Sequence, residues 1–142
     1  MKNTNIFQKL GASITNIFVV VLFSVPLIFI PMQIFDKKII VISIFFFYTL
    51  IFLILNKNRD LGMIIMGTFW KKKYLWYQHL VFNVFYTFSF ATIFFWIKYP
   101  FDLLIFNLLV LQLPIILLTG TTFHGFIAGG MLTVFKPTKN KH

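Results

Sequence analysis

Few residues in this 142-residue chain could do chemistry. The acids are Asp36, Asp60 and Asp102, with no Glu and no Cys. Without Cys there is no disulfide framework, no thiolate metal site and no thiol nucleophile, and the redox compartment cannot be read. Coupling to protons or sodium needs a titratable group inside the membrane, usually a carboxyl facing an aqueous path. The three acids instead fall in loops or at helix ends. His79, His124 and His142 are the other groups that titrate near neutrality. His79 opens an apolar run and His124 opens a glycine-containing segment, both expected at one membrane face. Two histidines without carboxylate or thiolate neighbours do not make a metal site. Their ordinary role is to bond a carbonyl or phosphate at the interface, and His142 belongs to the tail. Neither a nucleophile elbow nor a phosphate loop is present, because Gly125 to Gly130 is too apolar for one. No catalytic residue, metal or cofactor is expected, and the chain does not read as an enzyme.

Among polar residues inside apolar runs, Asn83, Asn107 and Gln112 could line a cavity in the second half of the chain. The simpler role is hydrogen bonding between helices, which is favourable in hydrocarbon. Gln112 precedes Pro114 closely enough to bond the carbonyl that this proline leaves free.

The elements that hold these groups are apolar. Hydrophobic residues make up 59% and charged residues 11%, and mean hydropathy is +0.88. A soluble domain has about 25% charged residues, so the composition excludes an ordinary soluble protein and a nucleic-acid-binding domain. The net charge of +10 reads as membrane electrostatics, because the basic residues cluster at the ends of apolar runs. An abundance of Phe, Ile, Lys and Asn suggests an AT-rich bacterial genome.

Four runs are candidate membrane helices: 10–35, 39–55, 80–97 and 101–118. The first, 26 residues long, would reach about 39 Å, so tilting or kinking at Pro26 and Pro31 is expected. It is too long for a signal peptide and lacks a cleavage site, so it reads as retained. Asp36-Lys37-Lys38 and Lys98-Tyr99-Pro100 read as tight turns that make two helical hairpins. Ten basic residues then fall on one side, and Lys37, Lys38 and Lys98 on the other. The excess places both termini in the cytoplasm. Lys71, Lys72, Lys73, Lys136, Lys139 and Lys141 would face the lipid surface there and attract anionic lipid. Trp70, Tyr74, Trp76 and Tyr77 around the lysine triplet fit the headgroup level.

A short motif recurs after each hairpin. Gly62-Met63-Ile64-Ile65-Met66-Gly67 and Gly125-Phe126-Ile127-Ala128-Gly129-Gly130 share Gly-x-Ile-x-x-Gly. Each is followed by a β-branched or aromatic run and a Lys. These read as interfacial elbows at about 60–70 and 122–135, with Met63, Ile64, Met66, Phe126 and Ile127 among acyl chains. The runs Thr68 to Trp70 and Leu132 to Phe135 could form short strands that pair with each other. Pairing would satisfy backbone groups near hydrocarbon. The fold class is an all-α membrane protein of four helices in two hairpins, with Gly-containing elbows and short β pairing on the cytoplasmic face.

Nearly the whole chain resembles the RDD family of small bacterial membrane proteins. Members carry Arg-x-x-Ala-x-x-x-Asp at the first helix, and Lys9, Ala12 and Asn16 have that spacing. Their first elbow resembles Asp60 to Gly67, with Gly62 and Gly67 at the family glycines. Their C-terminal Thr-x-His-Asp-x-x-Ala-Gly-Thr resembles Thr122 to Gly130, with His124, Ala128 and Gly129 matching. Lys9 replaces the namesake Arg, and Asn16 and Gly125 replace the two Asp. Met63 stands at the elbow Lys.

The resemblance implies one RDD-like membrane domain over residues 1–142, with transport or accessory roles. Since the titratable positions are lost, the expectation is an accessory, scaffold or partner-docking role in the bacterial cytoplasmic membrane, without proton–cation exchange. The alternatives are a transporter component and an immunity protein against a membrane-active peptide. The expected partners are the lipid bilayer, anionic lipid in particular, and another membrane protein or a second copy, not nucleic acid.

Overall fold

The computed structural model describes residues 1–135. Lys136, Lys139, Lys141 and His142 therefore lie outside the described residues.

Strand β1 (Lys2–Asn3) leads into helix α1 (Ile6–Ser24). Asn5 and Gln8 cap that helix reciprocally, each side chain accepting from the other's backbone N–H. Pro26 then tightens the chain into a 3-10 turn, Val25–Phe29, since proline fixes its backbone and lacks a donor. The real break lies at residues 30–33, around Pro31, and helix α2 runs Ile34–Leu55. The expected turn Asp36-Lys37-Lys38 is instead in the first part of α2. An acid there is favoured by the helix dipole. Lys38 reaches across to donate to the Phe94 carbonyl at 2.8 Å.

The first elbow holds helix α3 (Leu61–Ile65) and strand β2 (Thr68–Trp70). Helix α4 (Trp76–Ala91) follows, starting earlier and ending earlier than the 80–97 run. A tight turn carries it to Phe94 through the Phe94 N–H to Ala91 carbonyl bond. Helices α5 (Asp102–Phe106) and α6 (Leu113–Thr119) are joined by a π-helical segment, Asn107–Gln112. This widened segment precedes Pro114, and π segments relax the ladder where a proline removes a donor. Helix α7 (Phe123–Ile127) and strand β3 (Thr133–Phe135) form the second elbow.

Three helical stretches are long and apolar enough to cross a membrane: Ile6–Ile28, Ile34–Leu55 and Asp102–Thr119. At 16 residues α4 spans about 24 Å, short of the roughly 30 Å hydrocarbon core. It packs on α2, and Phe45 of α2 stacks on Phe90 of α4 with ring centroids 4.0 Å apart. Val20, Phe45, Phe82, Tyr86 and Phe90 form the centre of the core. The outward faces stay apolar, with Phe18, Phe47 and Leu118 exposed.

The elbow strands do pair. The sheet order is β1-β3-β2, all antiparallel, with Phe69 opposite Val134 and Asn3 opposite Val134 on the other side. Strand β1 was not expected from the sequence. Through this sheet the N-terminal, central and C-terminal segments meet at one end of the molecule.

Candidate functional site

The polar groups concentrate where the two elbows meet α1 and α4. The first elbow is held by two side-chain oxygens and a close backbone crossing. Asp60 caps α3, its carboxylate accepting from the Met63 N–H at 2.7 Å. The Gly62 N–H donates to Asn16 Oδ1 at 2.9 Å. Asn16 is fully buried, donates to Tyr86 Oη at 3.1 Å, and accepts from Tyr48 at 3.3 Å. One amide thus joins α1, α2, α3 and α4. Any Cβ at Gly62 would fall on the Ala12 backbone, so only glycine fits this crossing.

The second elbow is held by side chains. Thr122 caps α7, accepting from the Gly125 N–H at 3.4 Å. The Phe123 N–H donates to Gln112 Oε1 at 3.1 Å. Gln78 donates to the Ala128 carbonyl at 3.1 Å, and Tyr74 Oη accepts from the Leu132 N–H at 2.8 Å. Thr121 closes the loop with a bond to the Met131 carbonyl. At Gly125 a Cβ would meet Thr121 Oγ1 and lie 3.0 Å from the Met131 carbonyl oxygen. There is no room for an Asp there without rearrangement.

Two cavities border these elbows. The smaller, about 50 Å³, is lined by Lys9, Asp60, Tyr86, His124 and several threonine hydroxyls. That volume holds a few waters, at roughly 10–15 Å³ each. Lys9 Nζ donates to the hydroxyls of Thr4 and Thr133, the latter at 3.2 Å. The larger is a lateral cleft of about 440 Å³ between α1 and the α5–α6 helix, reaching Phe90 of α4. Its walls include Ile14, Ile17, Leu108 and Ile116, and Lys9 is its one formally charged lining residue. Lys9, Ser13, Tyr86, Thr122 and His124 line both cavities.

Burial raises the Asp60 carboxyl above the ordinary carboxylate range, against the opposing pull of the Met63 N–H, Asn16 and Arg59. Burial likewise pushes the His124 imidazole down to about 3, and the Lys9 charge adds to the effect. His124 is therefore neutral at physiological pH. Its Nδ1 lies 3.5 Å from Gln112 Nε2.

Lys9, Ala12 and His124 share the lining of the small cavity. Lys9, Ala12 and Asn16 lie along α1, and Ala12 and Asn16 meet Gly62 directly. Gly67 and Gly129 end the short helices with φ of 63° and 96°, which glycine adopts without strain. Ala128 is buried, and its carbonyl is the acceptor for Gln78.

Several expectations need correction. Asn83 does not line the cleft: it accepts from Thr49 at 2.6 Å and donates to the Phe46 carbonyl, tying α4 to α2. Asn107 and Gln112 do line it, but Gln112 is bonded to Phe123 and Ser89 rather than to a carbonyl near Pro114. Met63 faces the protein at 4% exposure, because α3 turns it toward the small cavity, while Ile65 and Phe126 point outward. Trp70 and Tyr74 are inner residues packed edge-on at 5.8 Å, whereas Trp76 and Tyr77 are exposed. Lys71, Lys72 and Lys73 are exposed as expected. His79 and His124 form no metal cluster, and none exists among the described residues. Trp70 packs on both His79 and Phe82, and Phe82 packs on His124, so aromatic rings link the two histidines.

Asp60 is the main site residue that sequence reasoning undervalued. An Asp before a short apolar segment is a readable cap signal. Its burial depends on α1 crossing over α3, which no local pattern carries. Tyr86, Thr4 and Thr133 gave no signal at all.

Comparison with protein-family models, curated proteins and solved structures finds no match to this chain.

Proposed function

We propose that this chain is an RDD-like multi-pass protein of the bacterial cytoplasmic membrane that acts as a docking scaffold. It crosses four times with both termini in the cytoplasm, α4 supplying the third crossing. It is neither an enzyme nor a proton–cation exchanger. The observation that carries this reading is the β1-β3-β2 sheet. It gathers three distant segments at one end, beside the exposed Lys2, Lys71, Lys72 and Lys73. A rigid basic cap over an apolar body suits contact with a membrane partner or a second copy at the cytoplasmic surface.

Reporter fusions at residues 56–78 and at His142 test the orientation, and tagged protein purified in mild detergent tests the docking. A cytoplasmic reading at both positions and a co-purifying membrane protein or homo-oligomer are expected. Docking must weaken when Lys71, Lys72 and Lys73 are changed together to Gln. An external reading at His142 would overturn the topology, and a monomer with no partner would overturn the docking role.

A second reading, a transporter component for an uncharged or apolar ligand, is favoured by the lateral cleft beside α1. Ligand-dependent flux in proteoliposomes without a partner would select it.

A further inference from the structure

We propose that the lateral cleft binds one acyl chain of an anionic bilayer phospholipid, with the phosphate held by Lys9. The site is amphipathic along its length. Its walls from α1 and the α5–α6 helix are aliphatic, and its volume of about 440 Å³ lies within the roughly 300–1,000 Å³ range of built ligand sites. Polar groups collect where Lys9, Ser13, Thr122 and His124 line it.

The charge at that end favours a phosphate. An ammonium has three donors. Lys9 gives two of them to Thr4 and Thr133, which fixes its position and leaves the third open. No other lining residue of the cleft is formally charged. His124 is neutral and uncharged against an incoming anion, and hydroxyls of Ser13 and Thr122 add neutral donors. The small cavity shares Lys9, Ser13, Tyr86, Thr122 and His124 with this end of the cleft and has room for the water that a phosphate would retain.

The apolar length argues for a chain rather than a soluble anion. Ile14 and Leu108, on opposite walls, are 56% and 42% exposed. Within a bilayer this mouth opens sideways to lipid. An alkyl chain fills such a cleft without leaving any backbone or side-chain polar group bare. Asn107 and Gln112 are already engaged with Ser89, the Gln112 contact at 3.2 Å, so the deeper wall demands no polar ligand. The inference needs the membrane placement but not the docking role, and either can fail alone.

The test uses the full chain, purified in mild detergent and read by native mass spectrometry with phosphatidylglycerol or phosphatidylcholine as probe. The unmodified protein should retain one phosphatidylglycerol, about tenfold over phosphatidylcholine. Lys9→Gln should abolish that preference, and Lys9→Arg should keep it. Ile14→Trp, which fills the cleft, should cut retention of both lipids. Changing Lys71, Lys72 and Lys73 together to Gln should leave the single tight lipid in place. Equal retention of both lipids would overturn the proposal. So would loss of the lipid in the triple-lysine variant but not in Lys9→Gln. A second protein chain whose binding Ile14→Trp abolishes would assign the cleft to a helix instead.

Discussion

The two elbows are built to one plan and secured in different ways. Each is a five-residue helix with a side-chain cap, ended by a glycine at positive φ and followed by a strand of the shared sheet. Each short helix also gives a first-turn N–H to an amide oxygen from a membrane helix: Gly62 to Asn16, and Phe123 to Gln112. The first elbow adds a backbone-to-backbone crossing at Gly62 and Ala12, which leaves no slack. The second relies on Gln78, Gln112, Tyr74 and Thr121, flexible or rotatable groups, and His124 within it lines both cavities. A repeat can thus supply one fixed anchor and one adaptable wall from nearly the same local structure.

Glycine substitutions should differ most. Gly62→Ala places a Cβ on the Ala12 backbone, where neither helix can yield cheaply. The expected cost is about 3 kcal/mol or more, the upper range for overpacking. Gly129→Ala meets only the Gln78 amide end, which can move, so its cost is mainly the left-handed backbone, about 1–2 kcal/mol. Thermal unfolding in detergent checks the order. A Gly129→Ala loss as large as that of Gly62→Ala would erase the distinction between the elbows.

The amides come next. Asn16→Leu strips a fully buried centre of its bonds to Gly62, Tyr48 and Tyr86, and leaves buried donors unpaired. A loss of about 2–3 kcal/mol is expected. Gln112→Leu frees the Phe123 N–H at a partly buried position, for about 1 kcal/mol. The same unfolding measurement decides, and equal losses would mean that both elbows are held with equal force.

The elbows carry opposite pH signatures. Asp60 has a folded pKa above its unfolded value, so its contribution is lost as pH rises from about 3.8 through the folded value. His124 has a folded pKa of about 3, below its ordinary 6.5, so stability is lost as pH falls below 6.5. The slope there approaches about 1.4 kcal/mol per pH unit. Asp60→Asn keeps a capping oxygen and should flatten the loss on raising pH. His124→Gln should flatten the loss on lowering it. Tm measured between pH 4 and 8 reads both, and a His124→Gln profile with the original acid limb would remove His124 from the account.

Local features of this plan were legible in the sequence, and long-range ones were not. The Gly-x-Ile-x-x-Gly recurrence marks both elbows, and the short β-branched or aromatic run after each marks β2 and β3. The register of the repeat differs by one residue: by cap and terminal glycine, Asp60 and Gly67 correspond to Thr122 and Gly129. Matching Gly62 to Gly125 aligned two glycines with different jobs, one a helix crossing and one a packed turn. The charges of Asp36 to Lys38 mark no boundary: the break lies around Pro31, and Lys38 Nζ sits over the Phe95 and Trp96 rings. Strand β1 is two residues long, too short for any period to mark. The burial of Asp60 and the cleft arise from how α1 crosses its neighbours.

The smallest expected effect is no effect at all, and it concerns transport. Exchange needs a site that is charged in one half-cycle and neutral or ion-bound in the other. Asn16 is the fully buried polar group at the centre of the helices, and an amide stays neutral across the physiological range. Gly125 has no side chain and no room for one. Asp60 is the only acid inside the protein, and the first elbow commits it: one oxygen caps α3 through Met63, and Asn16 and Arg59 act on it as well. Releasing that carboxylate to carry an ion would uncap α3 and loosen the more rigid of the two elbows. Proteoliposomes holding a pH-sensitive dye should therefore show cation-driven proton movement no greater than empty vesicles. Asp60→Asn should behave the same. Movement above the empty-vesicle level that Asp60→Asn abolishes would make Asp60 the carrier, and would turn the first elbow from an anchor into the moving part.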